Sequence, residues 1–134
     1  MVRCQSCGQE LVRNQRKFCG VKCQRAFDRA ERTREWLATG VAANIGGLSS
    51  HFIRRYIFDA QIGTCAICGS PAHWMGMRLI LVLDHIDGDS TNNARENLRM
   101  VCPNCDSQLP TFKSRNRGNG RHYRRERYAN GQSY

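Results

Sequence analysis

No stretch of this sequence approaches the ~18 consecutive apolar residues of a membrane-crossing helix, so no span across a bilayer is expected. Met1 to Gly8 lack the apolar segment of an export signal, which argues against secretion. Acidic side chains are scarce, 11 against 21 Lys and Arg. Lysine is scarcer still, with three residues against 18 arginines. No internal repeat is present beyond a weak pseudo-duplication of cysteine pairs. At 134 residues there is room for one small domain, or for two very small ones. Chains this short often need metal or disulfide staples to fold.

The staples are visible. Eight cysteines fall into the pairs Cys4/Cys7, Cys19/Cys23, Cys65/Cys68 and Cys102/Cys105. Three pairs are C-x2-C and one is C-x3-C, spacings at which two thiolates reach one tetrahedral zinc. Grouped by neighbourhood, they predict two structural Zn²⁺ sites: Cys4, Cys7, Cys19 and Cys23 in one, Cys65, Cys68, Cys102 and Cys105 in the other. Secreted disulfide scaffolds scatter their cysteines more widely, and no thioredoxin-like βαβ pattern surrounds any pair. A reducing, intracellular (cytoplasmic) compartment is the expectation.

The formal charge of +10 falls to about +6 once eight thiolates hold two Zn²⁺. Its distribution says more. Residues 1–60 carry 11 basic and 5 acidic side chains, residues 61–110 carry 3 and 5, and residues 111–134 carry 7 and 1. Basic arms that neutralise phosphates thus flank an acidic centre that would repel a phosphodiester until a divalent cation loads it. Arginine suits bidentate phosphate contact. A GC-rich coding bias explains the Arg excess as well, but not the acidic gap.

Periodicity predicts a helix from Gln24 to about Thr39, with Phe27, Ala30 and Leu37 near one face and Gly40 as its stop. A Gly-rich connector runs from Gly40 to Ser50. Ser50 is placed to cap a second helix, His51 to Ala60, with Phe52, Ile53, Tyr56 and Ile57 inward and Arg54 and Arg55 outward. Leu79 to Leu83 reads as a strand bounded by Asp84, and Leu98 to Val101 as a second. Pro103 suits the first position of a short helix carrying Asp106, closed by Pro110. Trp36 and Trp74 read as packing residues, with base stacking open to an exposed one.

The richest chemistry lies between those strands. Asp84 and His85 adjoin, Asn97 and Asp106 follow, and Asp106 directly succeeds a cysteine pair. An imidazole beside two oxygen ligands for a hard cation is what metal-assisted phosphodiester hydrolysis requires. Imidazoles titrate near ~6.5, within reach of neutral pH.

With "CAICG", "DHIDGDSTNN", "ENLRMVCPNC" and "SQLPTFKSRNRG" in view, the chain resembles the HNH endonucleases, a ββα-metal family with phage, intron-encoded and colicin-type members. The resemblance is strongest from about Gly63 to Asn116. The N-terminal "CQSCGQELVRNQRKFCGVKC" is more loosely similar to zinc-ribbon or treble-clef fingers. The resemblance implies a small, metal-stapled α+β fold with a ββα-metal, treble-clef-like core preceded by a zinc finger and helices. The expected organisation is a finger over 1–30, a helical connector over 31–62, a nuclease domain over 63–117 and a basic tail over 118–134.

It further implies His85 as general base, Asp84 as metal ligand and Asn97 as the signature asparagine. Asn97 would bridge backbone groups of the loop and hold His85 in its rotamer, a role for which Asn93 is the rival. Most members carry histidine where this chain has Asp106. An Asp84/Asp106 pair is all oxygen and favours Mg²⁺ or Mn²⁺. DNA, double-stranded, is the expected partner, with phosphate contacts from Arg54, Arg55, Lys113, Arg115, Asn116, Arg117, Arg121, Arg124, Arg125 and Arg127. For Arg115, Asn116 and Arg117 a plain solvated loop is the alternative, and for the tail a solubilising role. His51, His73 and His122 read as ordinary histidines, since four cysteines already close each zinc. A catalytically inactive, zinc-stapled DNA-binding module and a packaging accessory are the competing functions. Homodimerisation, a phage packaging partner and a phage-encoded origin stay open.

Overall fold

The computed structural model describes residues 1–42, 51–116 and 129–131, the side chains of His51 and Ser114 excepted. The connector over 43–50 with its Ser50 cap, and Arg117, Arg121, His122, Arg124, Arg125 and Arg127, lie outside the described residues.

The chain opens on a tight turn in which Cys4 N–H donates to the Gln9 carbonyl and Gly8 N–H to the Cys4 carbonyl. Helix α1 then spans Val21–Thr39. It starts three residues earlier than expected, and its first turn brings Cys23 back beside Cys19. Gly40 ends it in the left-handed conformation (φ 69°), donating to the Trp36 carbonyl at 2.7 Å, the usual glycine solution to a helix C-terminus. The buried residue of α1 is Trp36. The expected face was wrong in part: Ala30 is exposed and Leu37 is 42% exposed, while Phe27 half-buries against Phe18.

Helix α2 (His51–Ala60) buries Ile53 and Ile57. The Trp36 indole sits edge-on to Phe52 and Tyr56, with ring centroids 6.3 and 5.5 Å away. This aromatic contact joins α1 to α2. Burying a side chain such as Ile57 contributes roughly 1.5–3 kcal/mol. Leu81, Leu98 and Val101 complete the centre of the core, with Cys65 and Cys102 at its edge.

A short antiparallel hairpin, β1 (His73–Trp74) and β2 (Met77–Arg78), follows the third cysteine pair. Its two-residue turn has positive φ at both Met75 (52°) and Gly76 (76°), as right-twisted hairpins prefer. Both strands are exposed. Trp74, expected to pack, is therefore 61% exposed.

The second sheet pairs β3 (Val82–His85) with β4 (Leu98–Val101), antiparallel, with Asp84 opposite Arg99 and His85 opposite Leu98. The apolar run was expected to be the strand, but the strand lies further on and includes Asp84 and His85. The reason is the partner. In this register Leu81 would face Cys102, yet Cys102 is already the N-cap of helix α3 (Pro103–Ser107). Leu79 bonds instead to the Ala72 carbonyl, Leu81 is buried and Ile80 is 74% exposed. Helix α3 packs against β3. The described residues thus form a small α+β structure with two short strand pairs and two four-cysteine groups. No helix among the described residues is long and apolar enough to cross a membrane.

Candidate active site

Two sets of sulfurs converge: Cys4, Cys7, Cys19 and Cys23, and Cys65, Cys68, Cys102 and Cys105, the atoms of each set within 4.8 Å of one another. Cys7–Cys19, Cys19–Cys23 and Cys68–Cys102 separations are 3.6, 3.4 and 3.8 Å. A tetrahedron with ~2.3 Å Zn–S bonds has edges of ~3.8 Å, whereas a disulfide requires ~2.0 Å. The donor set fits, and each group could hold a zinc ion.

The two groups repeat one another. Cys65 N–H donates to Ser70 O and Gly69 N–H to Cys65 O, as Cys4 and Gly8 do in the first turn. Bridges Arg3↔Glu10 and Thr64↔Pro71 close both turns at the same offset. Each second cysteine pair sits at the start of a helix, α1 or α3.

Crowding divides the thiols. Burial pushes the Cys4 thiol up, but backbone N–H groups of Cys7, Cys19 and Ser6 outweigh it and bring it to about 6. The Ser70 hydroxyl does the same for Cys68, to about 6. Cys19, facing the Cys23 and Cys7 sulfurs, is pushed to about 12, and Cys105, facing Cys102, also to about 12. Four sulfurs this close cannot all be anionic without a cation among them.

Beyond the second group, the β3–β4 loop is built around two buried asparagines. Asn97 Oδ1 accepts from Asp87 N–H (3.0 Å), and its Nδ2 donates to Asp87 Oδ1 (2.9 Å) and the Asn92 carbonyl (2.8 Å). Asn97 therefore bridges the loop, but the direct partner of the imidazole is Asn93. Asn93 Oδ1 lies 2.8 Å from His85 Nε2, and its Nδ2 donates to the Thr91 carbonyl. Because the Asn93 amide nitrogen is committed to Thr91, its oxygen faces the ring. Nε2 is then the donor, and in the neutral imidazole the lone pair falls on Nδ1. Asn93 is itself fixed by Trp36, whose Nε1 donates to its carbonyl at 2.7 Å.

Asp84 is 7% exposed, and its Oδ2 accepts from Arg99 Nε at 2.8 Å. Burial and then the Asp84 charge push the Asp106 carboxyl up, with Lys113 opposing. The two carboxylates, one from β3 and one from α3, are close enough to repel. Carboxylate oxygens of this kind could hold a hard divalent cation. Arg99 was not expected from the sequence. Its only signal was the cross-strand register that sets it opposite Asp84.

The expected phosphate contacts divide. Arg115 Nη1 donates to the Ser107 and Leu109 carbonyls at the end of α3. Asn116 Nδ2 donates to the Gly88 carbonyl at 2.7 Å, tying a short 3-10 turn (Lys113–Asn116) to the histidine loop. Both side chains serve the fold. Lys113 lies over the Phe112 ring and is exposed. Arg54 and Arg55 line a cleft with α1 and β2 residues.

No family model matches the chain, and no solved structure matches it significantly. Among curated proteins, the H-N-H endonuclease F-TflIV of Escherichia phage T5 is 32% identical over 83 residues, 60% of this chain and 36% of that protein. The chain thus spans about a third of the length of the relative it matches. That likeness supports placing the chain in the HNH endonuclease family.

Proposed function

We propose that this chain is a divalent-metal-dependent endonuclease that hydrolyses DNA phosphodiester bonds. The observation that carries the reading is His85, held through Nε2 by Asn93, next to a buried Asp84 on a strand that packs against the helix carrying Asp106. His85 Nδ1 takes the proton from a water in line with the scissile P–O bond. Asn93 keeps the ring in the tautomer that accepts at Nδ1, and Asn97 braces the loop that follows His85 and carries Asn93. Asp84 and Asp106 would hold a divalent ion such as Mg²⁺ or Mn²⁺, which would supply Lewis-acid stabilisation of the charge that develops during phosphodiester hydrolysis. Zinc ions held by the two cysteine groups would be structural. In this reading β3, β4 and α3 form the ββα element of a nuclease domain over 63–117, after a finger over 1–30 and a connector over 31–62. The basic tail, 118–134, clamps the DNA backbone.

One observation favours a second reading. Arg99 holds Asp84 Oδ2, so this carboxylate already has a cationic partner within the chain. A module that kept the fold and lost the chemistry would look similar. Incubating supercoiled plasmid with Mg²⁺ or Mn²⁺ separates the two. Nicking by the wild type and loss of it in His85→Ala support hydrolysis. Intact plasmid in every divalent metal leaves the binding module.

A further inference from the structure

We infer that a four-arginine cleft on the side of the core formed by α1, α2 and β2 is a second DNA-backbone site. The inference rests on DNA being the substrate. The cleft has a volume of about 800 Å³ and is lined by Arg29, Arg54, Arg55 and Arg78. These come from three separate elements, so no single solvated helix face accounts for the cluster. Its floor is apolar, including Phe58 and Leu81, and its wall holds one acid, Asp59. None of the four guanidinium groups pairs with a described residue. Guanidiniums gathered over a low-dielectric floor attract an anion more strongly than the same charges spread in water.

Charge selects the occupant. The chain's own tail, with 7 basic and 1 acidic residues over 111–134, has the wrong sign. A nucleic-acid backbone has the right one, and arginine forks match phosphate oxygens. Leu81 at the cleft lies four residues before His85 along nearly extended chain. That spacing is ~13 Å at ~3.3 Å per residue, about four steps of one DNA strand at ~3.4 Å each. A backbone bound in the cleft would therefore position the duplex a few base pairs from the scissile phosphate.

The test uses the full chain carrying His85→Ala, without chelator so that sulfur-bound zinc stays in place. Anisotropy of a fluorescent 20-base-pair duplex gives affinity across a salt series. Each neutralised phosphate contributes about 0.9 to the slope of log K against log salt. Arg54→Gln/Arg55→Gln should lower that slope by about 1.8, and Arg29→Gln/Arg78→Gln by a similar amount. Both pairs should weaken binding equally for unrelated sequences. Arg13→Gln/Arg16→Gln, exposed and away from the cleft, should change the slope less than half as much. Unchanged slopes for the cleft pairs, or an equal drop for the control pair, overturn the inference while leaving DNA as substrate. If the unsubstituted cleft fails to bind duplex even at low salt, the DNA reading falls and the cleft site falls with it.

Discussion

Trp36, near the end of α1, donates its indole N–H to the backbone carbonyl of Asn93 at 2.7 Å, and Asn93 is the residue that touches His85. A helix that begins at the first cysteine group therefore fixes the loop beside the second. Stability and site geometry share this one buried bond.

Replacing Trp36 by Phe keeps an aromatic ring and deletes the donor. The buried Asn93 carbonyl is then unpaired, at a cost of about 1–3 kcal/mol. Thermal melting should show that loss. DNA cleavage should fall through kcat, with KM little changed, because His85 loses its alignment and the DNA contacts do not. An unchanged kcat would mean that Asn93 holds its position without Trp36.

Arg99 competes with any cation for Asp84. Arg99→Gln removes a positive charge and frees Oδ2, so Mn²⁺ affinity measured by calorimetry should rise roughly fivefold, about 1 kcal/mol. Equal or weaker binding would show that Arg99 orients the carboxylate for the metal instead of opposing it.

Asp106→His exchanges an oxygen ligand for nitrogen. Cleavage across a metal series should shift toward Ni²⁺, Co²⁺ and Zn²⁺ relative to Mg²⁺ and Mn²⁺. An unchanged rank order would remove Asp106 from the metal.

The Asp87 carboxylate is held below the ordinary aspartate value by the Asn92 amide, the Asp89 backbone N–H and the Asn97 amide. A carboxylate depressed on folding stabilises the protein above its unfolded pKa of about 3.9, and that contribution disappears as pH falls through the lower, folded value. Asp87→Ala should therefore be destabilised most at neutral pH, with the gap to wild type closing below about pH 4. Chemical denaturation at stepped pH measures it. A gap that stays constant would assign the loss to packing.

The small α+β class and the grouping of the cysteines were legible because metal spacing is local and survives any packing. Helix α2 was legible because Ile53 and Ile57 recur at helical period. The position of β3 was not, because it depends on Cys102 being committed to α3, a constraint from the partner strand. The same holds at the site. Asp84, His85, Asn97 and Asp106 could be singled out along the chain, but Arg99 enters through strand register and Trp36 through tertiary packing. Asn93 could be weighed against Asn97 from sequence, yet only the folded loop divides their work, the former to the imidazole and the latter to the backbone.

Anomalous diffraction from a crystal soaked in Mn²⁺ bears most directly on whether this is a hydrolytic site. The expected map has two zinc peaks at the cysteine groups and one manganese peak bound by both Asp84 and Asp106, with His85 Nδ1 facing the water side. Two zinc peaks with no manganese between the carboxylates, and Arg99 still on Asp84, would contradict it.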